Sequence, residues 1–355
     1  MKNILISICI SNYNYEKFIK EAIDSVLAQT YTNFELIIID NASTDSSPEI
    51  IKTYNDPRIK FCQNKVNIPL YQNINKAMNM AEGDLIAALH SDDKYDPNFL
   101  EEIIKAYKQY PAYKVFVTGV YFLHSDKNYF IPWHPYSKTD KPKIKSKKEV
   151  LLRFSLENNI GNGVNVVLHK DCLSKAGGFS DKYSYAADFE YWIRLAKKFD
   201  FVYIPKILTY YRIHNSNLSH VVNKNLDMFK EGLEIFNKNI LENKALSKEL
   251  YKKISYINER TLVHKAFCMG IKYKSGKISR NMLEYSKKTY PNLKNDPYWY
   301  FVYLISYFIN GCLSRINLVF ISFLGRLILY PYKIYINNFL EKLVKNTNNL
   351  NIGFK

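Results

Sequence analysis

Cysteine is scarce and unpatterned: Cys9, Cys62, Cys172, Cys268 and Cys312 are an odd total among 355 residues, with no Cys-x-x-Cys pair. That spacing excludes a disulfide framework and a zinc cluster, and fits a reducing cytosolic compartment. Glycine is limited to 12 residues, and no Gly-rich segment of the kind that cradles phosphates is present. Acidic residues thin out along the chain. Residues 1–220 carry 28 Lys and Arg against 24 Asp and Glu, whereas 221–355 carry 22 against 9, so most of the +17 net charge lies in the tail. No recognised nucleic-acid motif accompanies that charge, and long apolar runs interrupt it, which argues against a nucleic-acid partner. The first apolar run, Ile4 to Ile10, is too short to span a membrane and has no small-residue cleavage site after it. It reads as a first strand.

What the chain has in quantity is apolar and aromatic bulk. The composition is 47% hydrophobic, with 30 Tyr and 21 Phe, which excludes a disordered or collagen-like chain. The first half alternates strand and helix signals. Apolar runs at 4–10, 34–40, 59–61 and 84–89 are separated by helical patterns at 16–29, 49–54 and 69–80, a βαβ arrangement with a sheet that is parallel at first and mixed later. Further on, helices are expected at 98–110, 147–157 and 188–199, and strands at 114–123, 164–169, 201–204 and 207–212. The Lys-rich stretch 138–148 reads as a solvated surface loop, with a phosphate-attracting lid as the functional alternative.

From about residue 223 the pattern turns helical. The organisation expected is a catalytic-type α/β domain over 1–220, a helical extension over 221–295, and a basic aromatic segment over 296–355. That last segment is borderline for a span, and an interfacial anchor on an anionic membrane surface is the reading preferred over a packed helix pair or a transmembrane helix.

Two patches carry the chemistry. Leu89-His-Ser-Asp-Asp93 follows an apolar strand, so its carboxylates fall at the strand edge where ligands of open α/β sheets bind. A hard cation there could use Asp92 and complete its shell with phosphates and water, which suits a nucleoside diphosphate. Asp188-Phe-Glu-Tyr-Trp192 begins a helix far along the chain; its Asp could equally be a helix cap or a catalytic carboxylate.

Four segments in order carry a family resemblance over about residues 3–215. Ser7 to Asn14 resembles a first strand and nucleotide-facing loop, and Leu36-Ile-Ile-Ile-Asp-Asn-Ala-Ser-Thr-Asp45 resembles the segment V-D-D-G-S-T-D. Asn67 to Asn73, Glu82 to Ile86 and His90-Ser-Asp-Asp93 resemble the run into an Asp-x-Asp motif, and Gly177-Gly-Phe179, Ala187-Asp188 and Trp192-Ile-Arg194 resemble G-G-F … E-D … W-x-R. The chain is similar to family 2 glycosyltransferases, whose fold is GT-A: a Rossmann-like mixed α/β sheet flanked by helices, here with a C-terminal helical extension.

The resemblance implies an inverting transfer from a nucleotide-sugar donor, with UDP ahead of GDP or TDP as carrier, to a glycan or lipid-linked acceptor. It implies Mn²⁺ or Mg²⁺ as cofactor and a place on the inner face of the cytoplasmic membrane. It assigns Asp188 as general base and Asp92 as metal ligand, with His214, in Tyr210-Tyr-Arg-Ile-His214, as the further metal residue, able to approach the metal or diphosphate. Asn12, Tyr13, Asp40, Asn67, His90 and Ser91 fall on the donor side, and Gly178, Trp192 and Arg194 on the acceptor side. Two positions depart from the pattern: His90 replaces the first Asp of Asp-x-Asp, and Ala187 replaces the Glu before the base. The rivals are a nucleotidyltransferase, against which the missing Gly-rich loop counts, a glycoside hydrolase, and a catalytically silent binding scaffold suggested by His90 alone. The Gln-x-x-Arg-Trp segment of processive members is absent.

Overall fold

The computed structural model describes residues 3–124, 130–133, 141–154, 163–214, 217, 226–241, 255, 259, 262–263, 265–266, 268–270, 275–295 and 297–308. The chain divides into two compact units, Met1–Leu151 with Asn158–Asn217, and Leu152–Glu157 with Leu218–Lys355.

In the first unit the apolar runs form parallel strands: β1 (Ile6–Asn12), β2 (Phe34–Asp40), β3 (Ile59–Gln63) and β4 (Leu85–His90), in the order β3-β2-β1-β4. Every residue of β2 is buried, as expected for a strand covered on both faces. The helices between them are α1 (Ile19–Leu27), α2 (Ser47–Lys52) and α3 (Leu70–Asn79). Strand register brings the polar strand ends together. Asn12 pairs with Asp40, Asp40 with Gln63, and Ser11 with His90, so the carboxyl ends of all four strands meet at one edge.

The rest of this unit makes the sheet mixed. After β5 (Lys94–Tyr95) come α4 (Phe99–Gln109), β6 (Val115–His124), β7 (Phe130–Trp133), β8 (Lys143–Lys145), α5 (Lys147–Phe154), β9 (Val166–His169), α6 (Asp171–Ala176), α7 (Ala187–Ala196) and β10 (Phe201–Ile213). Strand β9 lies antiparallel between β4 and β6, and β10 runs parallel to β6 on its other side. The core joins Ile6, Ile8 and Ile10 of β1 to Ile19, Ile23 and Val26 of α1, with Phe99 and Ile103 of α4 packed into it.

Two sequence expectations change. Within 138–148, residues 138–140 lie outside the described set, while Lys143–Lys145 forms a strand against Phe201–Tyr203 of β10 instead of a loop. The two strands expected at 201–204 and 207–212 are one, because the register shifts between Tyr203 and Thr209 absorb Pro205, which has no N–H to give a ladder. The short elements β5, β7 and α6 carry too little periodicity to be read from sequence.

The second unit holds α8 (Asp227–Phe236), which continues as one π turn over Asn237–Leu241, then α9 (Gly276–Thr289) and α10 (Pro297–Phe308). Leu233, Val263, Ala266, Leu283, Trp299 and Val302 form its core. The stretch 246–270 of the expected helical extension falls largely, and residues 309–355 entirely, outside the described residues. Among the described residues no helix is long and apolar enough to cross a membrane.

One close approach sets β4 against β1. The Gly83 N–H donates to Ser7 Oγ at 2.8 Å, and that hydroxyl donates to Glu35 Oε1 at 2.5 Å. A Cβ at Gly83 would stand 2.6 Å from Ser7 Oγ, 2.7 Å from Ser7 N and 2.9 Å from Leu5 O; two of those atoms are backbone and cannot swing aside. Gly83→Ala is therefore expected to destabilise the protein by about 1–3 kcal/mol, seen as a lower urea midpoint at unchanged slope. An unaltered midpoint would contradict this packing.

Candidate active site

The loops that leave β1 and β2 zip together at the sheet edge. Asp40 is completely buried, and its carboxylate accepts four hydrogen bonds: from Asn12 Nδ2 (2.8 Å), Ser43 Oγ (2.6 Å), the Ser43 N–H (3.0 Å) and Gln63 Nε2 (3.2 Å). Four donors satisfy a buried carboxylate without a countercharge. Ser43 Oγ also accepts from the Asn14 N–H (2.9 Å), and Asn14 Oδ1 accepts from the Thr44 N–H (2.8 Å). Beside this strut Tyr13 stands 42% exposed, and the fully buried Asn12 Oδ1 has no hydrogen-bond partner. Asn67 reaches the same edge through Asn41, whose Nδ2 donates to Asn67 Oδ1 (3.2 Å) and to Ile68 O (2.7 Å).

Where β4 ends, the turn Ser91-Asp92-Asp93 is held by the far end of β10. Ser91 Oγ donates to Ser11 O (2.8 Å). Asp92 Oδ2 receives both His214 Nε2 (2.9 Å) and Asn217 Nδ2 (2.9 Å), so Oδ1 lies outside these bonds. Asp93, with no side-chain exposure, takes the Arg212 N–H on Oδ1 (2.8 Å) and His90 Nδ1 on Oδ2 (3.0 Å). The Arg212 guanidinium donates to Asp92 O (2.9 Å) and pairs with Glu21, which Lys94 also engages (2.6 Å). Phe18 stacks on the His214 ring at 4.8 Å, and Tyr15 meets it edge-on at 6.0 Å.

The residues expected on the acceptor side assemble around α3 and α7. Asn75 closes both amide bonds with the Phe179 backbone, accepting from its N–H (2.8 Å) and donating to its C=O (2.8 Å). This grip explains Gly178, where a Cβ would fall 2.4 Å from Asn75 Oδ1; the preceding Gly177 sits at φ +74°. Arg194 clamps the same turn, donating to Gly178 O (2.8 Å), to Ala176 O and to Glu190, one helical turn away (2.7 Å). Trp192 is buried in the aromatic cluster of Phe179 and Tyr191. Asp188 lies in the first turn of α7, where Oδ1 accepts its neighbour's N–H (2.7 Å), and Tyr71, one turn before Asn75 on α3, hydrogen-bonds it as well.

His90 joins the two patches. Burial alone would lower its imidazole, but the hydrogen bond and charge of Asp93, then the charges of Asp92 and Asp188, outweigh that and favour the protonated ring. The side chain is 37% exposed, so burial is the weaker side of the balance. Asp93 is pushed up by burial and by Asp92, against the pull of His90 and the Arg212 N–H. Asp188 is raised to about 6, chiefly because few waters reach its carboxylate, with the Phe189 N–H, His90 and Tyr71 pulling the other way.

Asp92, His214, His90 and Ser91 are thus brought together, as are Asn12, Asp40 and Tyr13, and Asp188 with Gly178, Trp192 and Arg194. Sequence reasoning passed over Asn217, Arg212, Tyr71, Asn75 and the ring pair Tyr15 and Phe18. Only Tyr71 and Asn75 left a signal, their four-residue spacing on one helix face. A cation fits the donor set at the β4 end: one ligand atom each from His90, Asp92 and Asp93 lies within 4.8 Å of the others.

Comparison with known proteins places the chain by family and fold. The family model "Glycosyl transferase family 2" matches residues 7–170. An uncharacterised glycosyltransferase of Methanocaldococcus jannaschii is 31% identical over 61% of this chain and 73% of its own length. WcaA of Escherichia coli, whose name provisionally assigns it to colanic acid biosynthesis, is 30% identical over 56% of this chain and 68% of its own. Among solved structures, residues 1–349 of S. aureus TarS in complex with UDP-GlcNAc superpose with a TM-score of 0.58 at 15% identity, covering 84% of this chain and 90% of that TarS fragment. The mannosyltransferase PcManGT of Pyrobaculum calidifontis, in complex with GDP-Man and Mn²⁺, gives 0.53 at 12% identity, over 87% and 85%. The chain belongs to glycosyltransferase family 2, on a GT-A fold.

One strained residue sits in the Asp40 loop. Ala42 adopts φ +59°, the left-handed region, at the position where the V-D-D-G-S-T-D pattern has Gly. That conformation costs a residue with a Cβ about 1–2 kcal/mol, while a Gly adds roughly 0.4–1 kcal/mol of unfolded-state entropy. Ala42→Gly should raise stability by about 0.5–1 kcal/mol in urea unfolding. A loss of stability would show that the Ala42 methyl makes a compensating contact.

Proposed function

We propose that this glycosyltransferase moves a sugar from a nucleoside diphosphate donor, UDP first among carriers, to a hydroxyl of a glycan or lipid-linked glycan, with inversion at the anomeric carbon. The observation that carries the reading is the convergence of the Asp92 turn and Asp188 on one imidazole, His90. A cation-holding carboxylate and a base with a raised carboxyl pKa at one strand edge are what a single displacement needs. The nucleotide complexes of TarS and the GDP-Man and Mn²⁺ complex of PcManGT support a sugar nucleotide and a divalent cation.

In this reading Asp188 takes the proton of the acceptor hydroxyl as its oxygen bonds to the anomeric carbon, while the bond from that carbon to the diphosphate oxygen breaks. Tyr71 and the Phe189 N–H hold the carboxylate in place. Asp92, with His214 beside it, would hold Mn²⁺ or Mg²⁺, which when bound neutralises charge on the departing diphosphate. Tyr13, Asn12, Asn67 and Ser91 form the donor side around the Asp40 strut, and the turn gripped by Arg194 and Asn75 shapes the acceptor side, with Trp192 behind it.

Because a base must be unprotonated, the rate should climb with pH through about 6, the value to which Asp188 is raised. The check is nucleotide release from UDP-, GDP- and TDP-sugars with Mn²⁺, Mg²⁺ or EDTA, read across pH for wild type, Asp92→Ala and Asp188→Asn. Release from one donor, with an acid limb near pH 6 and losses of roughly a hundredfold or more in both variants, is expected. Donor binding without turnover, unaltered by Asp188→Asn, would instead indicate a binding scaffold.

We further propose that the second unit rests on the anionic inner face of the cytoplasmic membrane. Support comes from α10, where Tyr300, Leu304 and Tyr307 recur on one face at 51%, 60% and 54% exposure, with Arg280 over the Tyr307 ring at 4.3 Å. Aromatic and aliphatic side chains edged by cations suit the headgroup boundary. Vesicles containing phosphatidylglycerol should sediment the protein more strongly than neutral vesicles, and replacing all three side chains by Ser should weaken this by roughly tenfold. Equal sedimentation of both proteins would remove α10 from the contact.

A further inference from the structure

The substitution of His90 for the first Asp of the Asp-x-Asp motif leaves a specific geometry. Nδ1 faces Asp93, a carboxylate with no solvent exposure, while 37% of the His90 side chain is open. With Nδ1 committed to Asp93, Nε2 is the ring nitrogen left for another partner. Among the described residues His90 hydrogen-bonds Asp93 and nothing else, which leaves Nε2 without a protein partner. The orientation is fixed from behind, because Asp93 is itself pinned by the Arg212 N–H at 2.8 Å.

An imidazole whose one nitrogen is tied to a carboxylate and whose other nitrogen is open is the arrangement that metal-binding histidines use; the carboxylate sets the ring orientation and raises ligand basicity. Two residues on, Asp92 presents Oδ1, the oxygen that His214 and Asn217 leave unbonded. Asp93 is spent on His90 and Arg212, which suits the orienting role better than direct ligation.

We propose that His90 is a direct ligand of the divalent cation through Nε2, with Asp93 as its positioning residue, so that this chain holds its metal by one imidazole nitrogen and one Asp92 oxygen. The cation replaces whatever proton Nε2 carries, as any imidazole ligation requires. An imidazole nitrogen favours metals later in the divalent series and disfavours Mg²⁺, so the preference should run Co²⁺ over Mn²⁺ over Mg²⁺. This rests on the metal-assisted reading of the site above, but its test does not use turnover.

Purified full-length protein is titrated with Mn²⁺ alone and examined by pulsed electron paramagnetic resonance for the modulation that a coordinated nitrogen imposes on the metal's echo. Co²⁺ and Mg²⁺ affinities are measured by competition. The expected result is nitrogen modulation in wild type, retained in His214→Gln and lost in His90→Asp, with the Co²⁺ to Mg²⁺ affinity ratio falling about tenfold in the latter. Asp93→Asn should keep the modulation while weakening Mn²⁺ binding by roughly ten- to a hundredfold. If His90→Asp misfolds by circular dichroism, His90→Gln reads the same loss. Modulation that disappears with His214→Gln and survives His90→Asp would overturn the assignment, as would Mn²⁺ binding with no nitrogen signal or no Mn²⁺ binding at all. Sugar-nucleotide turnover with no nitrogen signal would leave the transferase reading standing and this one refuted.

Discussion

The hydrogen bonds that His214 and Asn217 make to one oxygen of Asp92 are the constraint around which the first unit is arranged. Asp92 is nearly buried, and a buried carboxylate stripped of its partners costs about 3–5 kcal/mol. Meeting that demand requires the end of β10 to lie against the end of β4, although 122 residues separate His214 from Asp92. Arg212 then falls where its N–H and guanidinium can hold both Asp93 and the Asp92 carbonyl, and α1 is drawn in through Glu21. Asp93, fixed in this way, orients His90, which feels the charge of Asp188.

Neutral amides do much of the remaining positioning. Asn12 supports Asp40, Asn41 carries the loop of Asn67, and Asn75 holds the backbone of Phe179. Because these groups carry no charge, they fix geometry without setting the local field, which is left to Asp92, Asp93, His90 and Asp188. Arg194 is the exception at the turn before α7, and Glu190 offsets its charge within one helical turn.

The strand edge was legible because buried parallel strands are written as continuous apolar runs, and 34–40 and 84–89 ended at their polar residues within one position of the observed strands. Only the family pattern linked the Asp92 and Asp188 patches, since nothing local ties two segments so far apart. The partners that the clamps reach left no trace. Asn217 to Asp92 and Asn75 to Phe179 span 125 and 104 residues, and contacts at such separation impose no local period. Pro205 misled in the opposite direction: its missing N–H looks like a strand break, whereas the irregular pairing between Tyr203 and Thr209 carries the strand past it. Ala42 shows a third kind of silence, since residue identity gives no sign that its backbone is left-handed.

The clamp on Asp92 also gives the first unit a timetable. The strands β1 to β4 are complete by residue 90, yet the partners of Asp92 and the Arg212 N–H that Asp93 accepts arrive only at 212, 214 and 217. While the chain is being made, the sheet can gather early around β1, but the paired carboxylates at the end of β4 lack these partners until nearly the whole first unit has left the ribosome. The turn after β4 is therefore clamped only after the fold around it has closed, and an interrupted chain that stops short of β10 carries the family's sequence signature without that clamp.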